Sequence, residues 1–132
     1  MAANTKLSLA GRDDALDAVL DVLNTTGSLA IYDGTQPSDP DTAITSQVHL
    51  ASNAMSATAW AAAGSGSKVA NAFTPANALA SGTTSWYSFL ANTTRRWDGS
   101  CGTSSANLIF NSVAIASGAN VAITGFTATM AA

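Results

Sequence analysis

Residues 28–43 read Ser-Leu-Ala-Ile-Tyr-Asp-Gly-Thr-Gln-Pro-Ser-Asp-Pro-Asp-Thr-Ala, and the reading of this stretch decides the fold. Leu29 to Tyr32 is a short apolar strand, with Leu29 and Ile31 on one face and Ala30 and Tyr32 on the other. Asp33-Gly34 is turn chemistry that ends it. Pro37 and Pro40 then remove backbone donors and forbid regular ladder bonding, so Thr35 to Ala43 leave the sheet as a polar arm. The residues before this stretch read as a helix, and those after it as strands.

The helix signal lies in residues 13–23. Leu16, Val19, Leu20 and Leu23 stand at i, i+3, i+4 and i+7, which places them on one face. Ala15, Ala18 and Val22 widen that face. Asp13 and Asp14 fit a cap and a first-turn carboxylate. Asp17 and Asp21 point away, toward solvent, and the Asn24-Thr25-Thr26-Gly27 run closes the helix. At about 11 residues such a helix is marginal alone, so it docks on the strands. Upstream, residues 5–10 alternate weakly and are expected to form a short edge strand broken by Gly11.

Downstream, residues 44–56 alternate, with Val48 and Leu50 on one face and His49 on the other. Residues 57–67 pass from alanines around Trp60 into the flexible run Gly64-Ser65-Gly66-Ser67. Lys68 comes directly after that run, but the order is not that of a phosphate loop. Short strands are expected in residues 68–80, broken at Thr74-Pro75, with a turn at Ser81-Gly82-Thr83. Residues 84–101 form the clearest hairpin. Trp86, Ser88 and Leu90 share one face, and Tyr87, Phe89 and Ala91 the other. Both faces are apolar, which predicts a central, covered strand. Asn92-Thr93-Thr94 turns, Arg95-Arg96-Trp97 returns, and Asp98-Gly99 is expected to turn again. One arginine should face solvent or pair with an acid. Residues 107–117 supply two short strands, Gly118-Ala119-Asn120 turns, and residues 121–130 close the chain with a bulge at Gly125. Strands at this spacing predict an all-β fold, an antiparallel β-sandwich or barrel with one short N-terminal helix. The 132 residues suit a single domain, 1–132, with residues 1–11 a candidate N-terminal arm.

Charged residues make up 10% of the chain, against about 25% in ordinary domains, and small polar residues take their place. Wide neutral surfaces of this kind suit contact with other subunits. The formal net charge is −3 and Arg95-Arg96 is the only basic cluster, so phosphate neutralisation and nucleic-acid binding are disfavoured. No run of about 20 apolar residues is present, so no membrane helix is expected. The N-terminal residues lack the apolar core of a signal peptide, which points to a product made in a cytoplasm or assembled there.

Catalytic chemistry has little to draw on. The single cysteine, Cys101, allows no internal disulfide and reads as a buried or half-buried small residue. His49 has no identifiable acid or nucleophile partner. Asp39 and Asp41 in the arm lack the further oxygen ligands of a calcium loop. No enzyme activity, cofactor or metal is expected. The residues singled out for binding are those of the arm, Thr35, Gln36, Pro37, Ser38, Asp39, Pro40 and Asp41. Backbone that is not laddered internally can pair with a neighbouring subunit.

Three blocks carry a resemblance. The first is the helix with Gly27 through Pro37 after it (including the run Tyr-Asp-Gly-Thr-Gln-Pro) and then Pro40 to Ala43. The second is the strand opened by Trp86 and its return through Trp97-Asp98-Gly99-Ser100-Cys101-Gly102-Thr103-Ser104. The third runs from Ala106-Asn107-Leu108 through Asn111-Ser112 and Ser117-Gly118-Ala119 to Ile123-Thr124-Gly125-Phe126. In this order they resemble a family of small virion structural proteins of tailed bacteriophages, over most of residues 12–130. Cys101 departs from the aliphatic residue expected there. The resemblance implies a structural component of the virion. The first expectation is a capsid decoration, or cement, protein. It would bind the outer face of a shell of major capsid protein as a homo-oligomer, with a trimer the first expectation. A tail or head–tail connection component is the alternative. A carbohydrate-binding β-sandwich on a fibre is a further one, using an exposed Trp60 or Trp97 beside Asp98.

Overall fold

The computed structural model describes residues 6–24, 26–56, 58–71, 73–103, 108–109, 113–121, 123 and 126–129. The helix α1 spans Leu9–Leu20 and continues into a single 3-10 turn, Asp21–Leu23. Ser8 caps it, its side-chain oxygen accepting from the Gly11 amide at 3.0 Å. The start therefore lies upstream of Asp13. Residues 6–8 are irregular and Leu9 and Ala10 are helical, which corrects the expected edge strand. Gly11 is tolerated inside the first turn because the cap there satisfies an orphan amide. Leu16, Leu20 and Leu23 are fully buried, whereas Val19 and Val22 are exposed.

The strands in chain order are β1 (Gly27–Tyr32), β2 (His49–Ala54), β3 (Ser67–Val69), β4 (Ala76–Asn77), β5 (Gly82–Thr83) and β6 (Trp86–Ala91). They continue with β7 (Thr94–Gly102), β8 (Leu108–Ile109), β9 (Ala114–Ile115), β10 (Asn120–Val121) and β11 (Thr127–Thr129). Five of them form an open sheet in the order β2-β1-β6-β7-β8, antiparallel except for the β7–β8 pair. Two-stranded ladders β4–β10, β3–β11 and β5–β9 complete the described β structure. The fold is all-β with one short helix, and among the described residues the five-stranded sheet is open.

The parity read for β1 and β6 holds. Leu29, Ile31, Tyr87 and Phe89 enter the main core with Leu16, Leu20 and Leu23, and with Trp60, Phe73, Val121 and Phe126 from the covering segments. The Phe89 ring meets Trp60 at 5.3 Å and Phe126 at 5.1 Å, both edge to face. The opposite face holds a smaller cluster of Ala30, Tyr32 and Trp86, joined by Ile44 and Leu90. Val48, expected beside Leu50, lies outside β2 and is exposed, because the arm enters the strand only at His49.

Asn92 and Thr93 make the β6–β7 turn, with Asn92 in the left-handed region at φ 56°. Asp98-Gly99 is not a turn; it lies within β7. Gly99 pairs with Tyr87 across the ladder, and a Cβ placed on it would collide with the Tyr87 ring and its hydroxyl oxygen. Glycine is needed there for close approach of a ring, a second use of the residue in strands. The bulge expected at Gly125 lies outside the described residues, as do parts of the strands expected in residues 107–117. No helix among the described residues is long and apolar enough to cross a membrane.

Candidate functional site

The sequence places its candidate contact residues on the segment between β1 and β2, and the structure shows what holds that segment. At its base, the Asp33 amide donates to the Val48 carbonyl at 3.1 Å, and the Val48 amide donates to Asp33 Oδ1 at 2.6 Å. Trp86 Nε1 donates to the Asp33 carbonyl at 3.0 Å, and Ser85 Oγ donates to the Gly34 carbonyl at 2.5 Å. Asp33 is thus a structural clasp that returns the chain to β2. Gly34 turns the corner at φ 76°, a value that favours glycine.

Beyond the base, Gln47 Nε2 donates to the Thr35 carbonyl at 2.5 Å and fastens the arm to itself. Asp39 Oδ1 accepts from the Thr42 amide at 2.8 Å and from the Thr42 hydroxyl at 2.9 Å. These bonds, the Thr42 side chain's first, hold the Asp39 carboxyl below its ordinary value. Thr35, Gln36, Ser38, Asp39 and Asp41 are exposed, while Pro37 and Pro40 are half-buried. The arm therefore offers polar side chains outward from a rigid local turn.

Its inner side meets one cation. Arg95 donates from Nη1 to the Thr42 carbonyl at 2.5 Å and from Nη2 to the Asp39 carbonyl at 3.4 Å. The same guanidinium pairs with Asp98, whose side chain is 2% exposed, and lies over the Trp86 ring at 5.3 Å. Trp86 stacks on Tyr32 at 4.4 Å, and Tyr32 stacks on His49 at 5.0 Å. Burial raises the Tyr32 hydroxyl above its ordinary value. A column of His49, Tyr32, Trp86 and Arg95 thus floors the arm. Of the two adjacent arginines, Arg95 pairs with an acid as expected and Arg96 is exposed.

The other singled-out residues serve packing. Trp60 is 3% exposed and offers no open face for a sugar, while Trp97 is half-buried against the main core. Cys101 is half-buried against the same core, and burial pushes its thiol up to about 12. His49 stacks on Tyr32, and its Nε2 is buried without a hydrogen-bond partner.

A second feature was not legible as such. Asp13, Asp17 and Asp21 reach partners on neighbouring segments while remaining in part open to solvent, and Asp14 is exposed. Asp13 Oδ1 accepts from the Gly66 amide at 2.8 Å, and Asp17 Oδ1 accepts from the Ala63 amide at 3.0 Å. Lys68, 1% exposed, pairs with Asp17, reaches Asp21 at 3.0 Å, and donates to the Ala61 carbonyl at 2.8 Å. Ala18, Val19 and Val22 are exposed on the helix, Val19 at 37% and Val22 at 42%, with Asp14 exposed as well and Ala15 half-buried. With Leu16, Leu20 and Leu23 buried in the core, apolar residues lie on both sides of the helix. The available signal was Lys68 itself, a lone lysine directly after a Gly-Ser run, facing two aspartates four residues apart.

No family model matches the chain, and neither a curated protein nor a solved structure does.

Proposed function

We propose that the protein is a non-enzymatic structural component of a tailed-bacteriophage virion, a decoration subunit that binds the outside of the assembled head. The observation that carries this reading is the set of exposed apolar residues on the helix, Ala18, Val19 and Val22. They stand exposed while Asp13 and Asp17 are engaged by the Gly66 amide and by Lys68, which leaves apolar side chains open on the surface. Such patches mark contact with other proteins. Here the partners are other copies of the chain, with a trimer the first expectation, and the major capsid protein. The arm, Thr35 to Asp41, adds a second exposed contact of polar side chains on a stiff scaffold. The resemblance of the Tyr-Asp-Gly-Thr-Gln-Pro run and the later blocks to phage virion proteins supplies the setting.

The mechanism is clamping. Area buried across junctions between capsomers adds to the free energy needed to separate them, at about 25 cal/mol per Å² of apolar surface. No bond is made or broken. Copy number per particle tests the reading. A decoration subunit should be present on the order of hundreds of copies, be removable, and on rebinding raise the heat tolerance of the particle. A count of about six or twelve, the size of a closed ring, would sink it in favour of the tail or head–tail connection.

A further inference from the structure

We propose that residues 34–47 form a strap that lifts as one unit from the second face of the sheet, with Arg95 as its latch. The base of the segment is closed independently of its tip. Asp33 and Val48 exchange two hydrogen bonds, Trp86 Nε1 holds the Asp33 carbonyl, and a Cβ on Gly34 would lie 3.3 Å from Gln47 Cγ, so the two ends meet. A segment whose ends are joined and whose middle makes no ladder moves as a closed loop. Its internal bonds, Gln47 to Thr35 and Thr42 to Asp39, travel with it.

The tip is tied to the body by less. The Arg95 guanidinium holds two main-chain carbonyls, those of Thr42 and Asp39, and Ile44 packs against the cluster of Tyr32 and Trp86. Arg95 is itself fixed from below by Asp98 and the Trp86 ring, so it stays in place when the strap leaves. Because it grips carbonyls, the latch depends on backbone position rather than on the side chains of the arm. Lifting removes Ile44 from the cluster of Tyr32 and Trp86, which are 7% and 0% exposed with the strap down. The β1–β6 ladder beneath is bonded along its whole length and takes no part in the motion. This inference does not rest on the virion reading; it concerns the isolated subunit.

The test uses the full chain carrying Arg95→Met with Asp98→Asn, which removes the latch without stranding a buried carboxylate. Endoproteinase cleavage before Asp39 and Asp41 is timed under native conditions, beside amide hydrogen exchange in β1 and β6. Cleavage should accelerate about tenfold or more while ladder exchange keeps its wild-type rate. Arg95→Lys should not restore the slow rate, since a point charge cannot span two carbonyls and Asp98. Ile44→Ala, which loosens the same tip from the other side, should accelerate cleavage in the same local way. It stands as the deciding variant if the double substitution does not fold. Unchanged cleavage, or cleavage that rises only in step with ladder exchange, overturns the proposal.

Discussion

Lys68 is the residue on which the helix depends. Its ammonium is buried, yet all the groups that face it are oxygens, from Asp17, Asp21 and the Ala61 carbonyl. Removing a partner from a buried charge costs more than removing the charge itself. Asp17→Asn with Asp21→Asn should therefore lower the denaturant midpoint further than Lys68→Met does. The first leaves a cation stranded, at roughly 3–5 kcal/mol for full burial. The second frees two carboxylates that already touch water, at 38% and 49% exposure. Equal losses, or the reverse order, would show that Lys68 is held chiefly by packing of its stem. Neither role could be read from the chain, because an aspartate pair four apart on a helix looks the same whether it faces water or a lysine far along the sequence. Gly99 misled for a related reason. Asp-Gly is local turn chemistry, and the ring of Tyr87 that requires the glycine comes from another strand.

At the scale of elements, β1 and β6 were legible because alternation with period two fixes which side chains share a face whatever the rest of the chain does. Leu29, Ile31, Tyr87 and Phe89 fell where the pattern put them. The helix was legible in kind and in the face that Leu16, Leu20 and Leu23 bury, but not in the bonds its aspartates make. Its apolar residues outnumber what one face can bury, and the hydrogen bonds from the Gly66 and Ala63 amides to Asp13 and Asp17 decide which go outward. Val19 and Val22 lose that competition. Val22→Asp should change monomer stability by no more than about 0.5 kcal/mol, as exposed substitutions do. It should nevertheless abolish self-association measured by light scattering or sedimentation. Loss of association together with loss of fold would mean that Val22 is a core residue, and retained association would remove the helix from the contact surface. The arm was legible as a departure from the sheet, since Pro37 and Pro40 cannot ladder. Its anchoring to Arg95 was not, because the acceptors are backbone carbonyls that every sequence has.

For the molecule as a whole, the shifted groups set a pH window. Asp17 is held below the ordinary value of 3.8, first by its bond to Lys68, and Asp39 below it by Thr42. A carboxyl lower in the folded than in the unfolded chain contributes stability above its unfolded value. That contribution is lost as pH falls through the folded one. For Lys68, burial alone would lower the ammonium, but the bonds to Asp17 and Asp21 outweigh it and hold it above 10.5. Its contribution is complete below that value and is lost as pH rises through the folded one. Urea midpoints should fall on the acid side below about pH 4 and on the alkaline side above about pH 10.5. Asp17→Asn should flatten both limbs at once, because one bond serves both groups. An acid limb unchanged by that substitution would assign the loss elsewhere.

The scarcity of charge, 10% of the residues, has a consequence for how copies share space. Asp13, Asp17, Asp21 and Lys68 are engaged at the helix, Arg95 and Asp98 under the arm, and Asp33 and Asp39 within it. The formal net charge is only −3, and at physiological salt its field fades within about 8 Å. Free subunits should behave as weakly repelling particles. Neighbours could then tile a surface at high density without the mutual repulsion that a conventionally charged coat would impose.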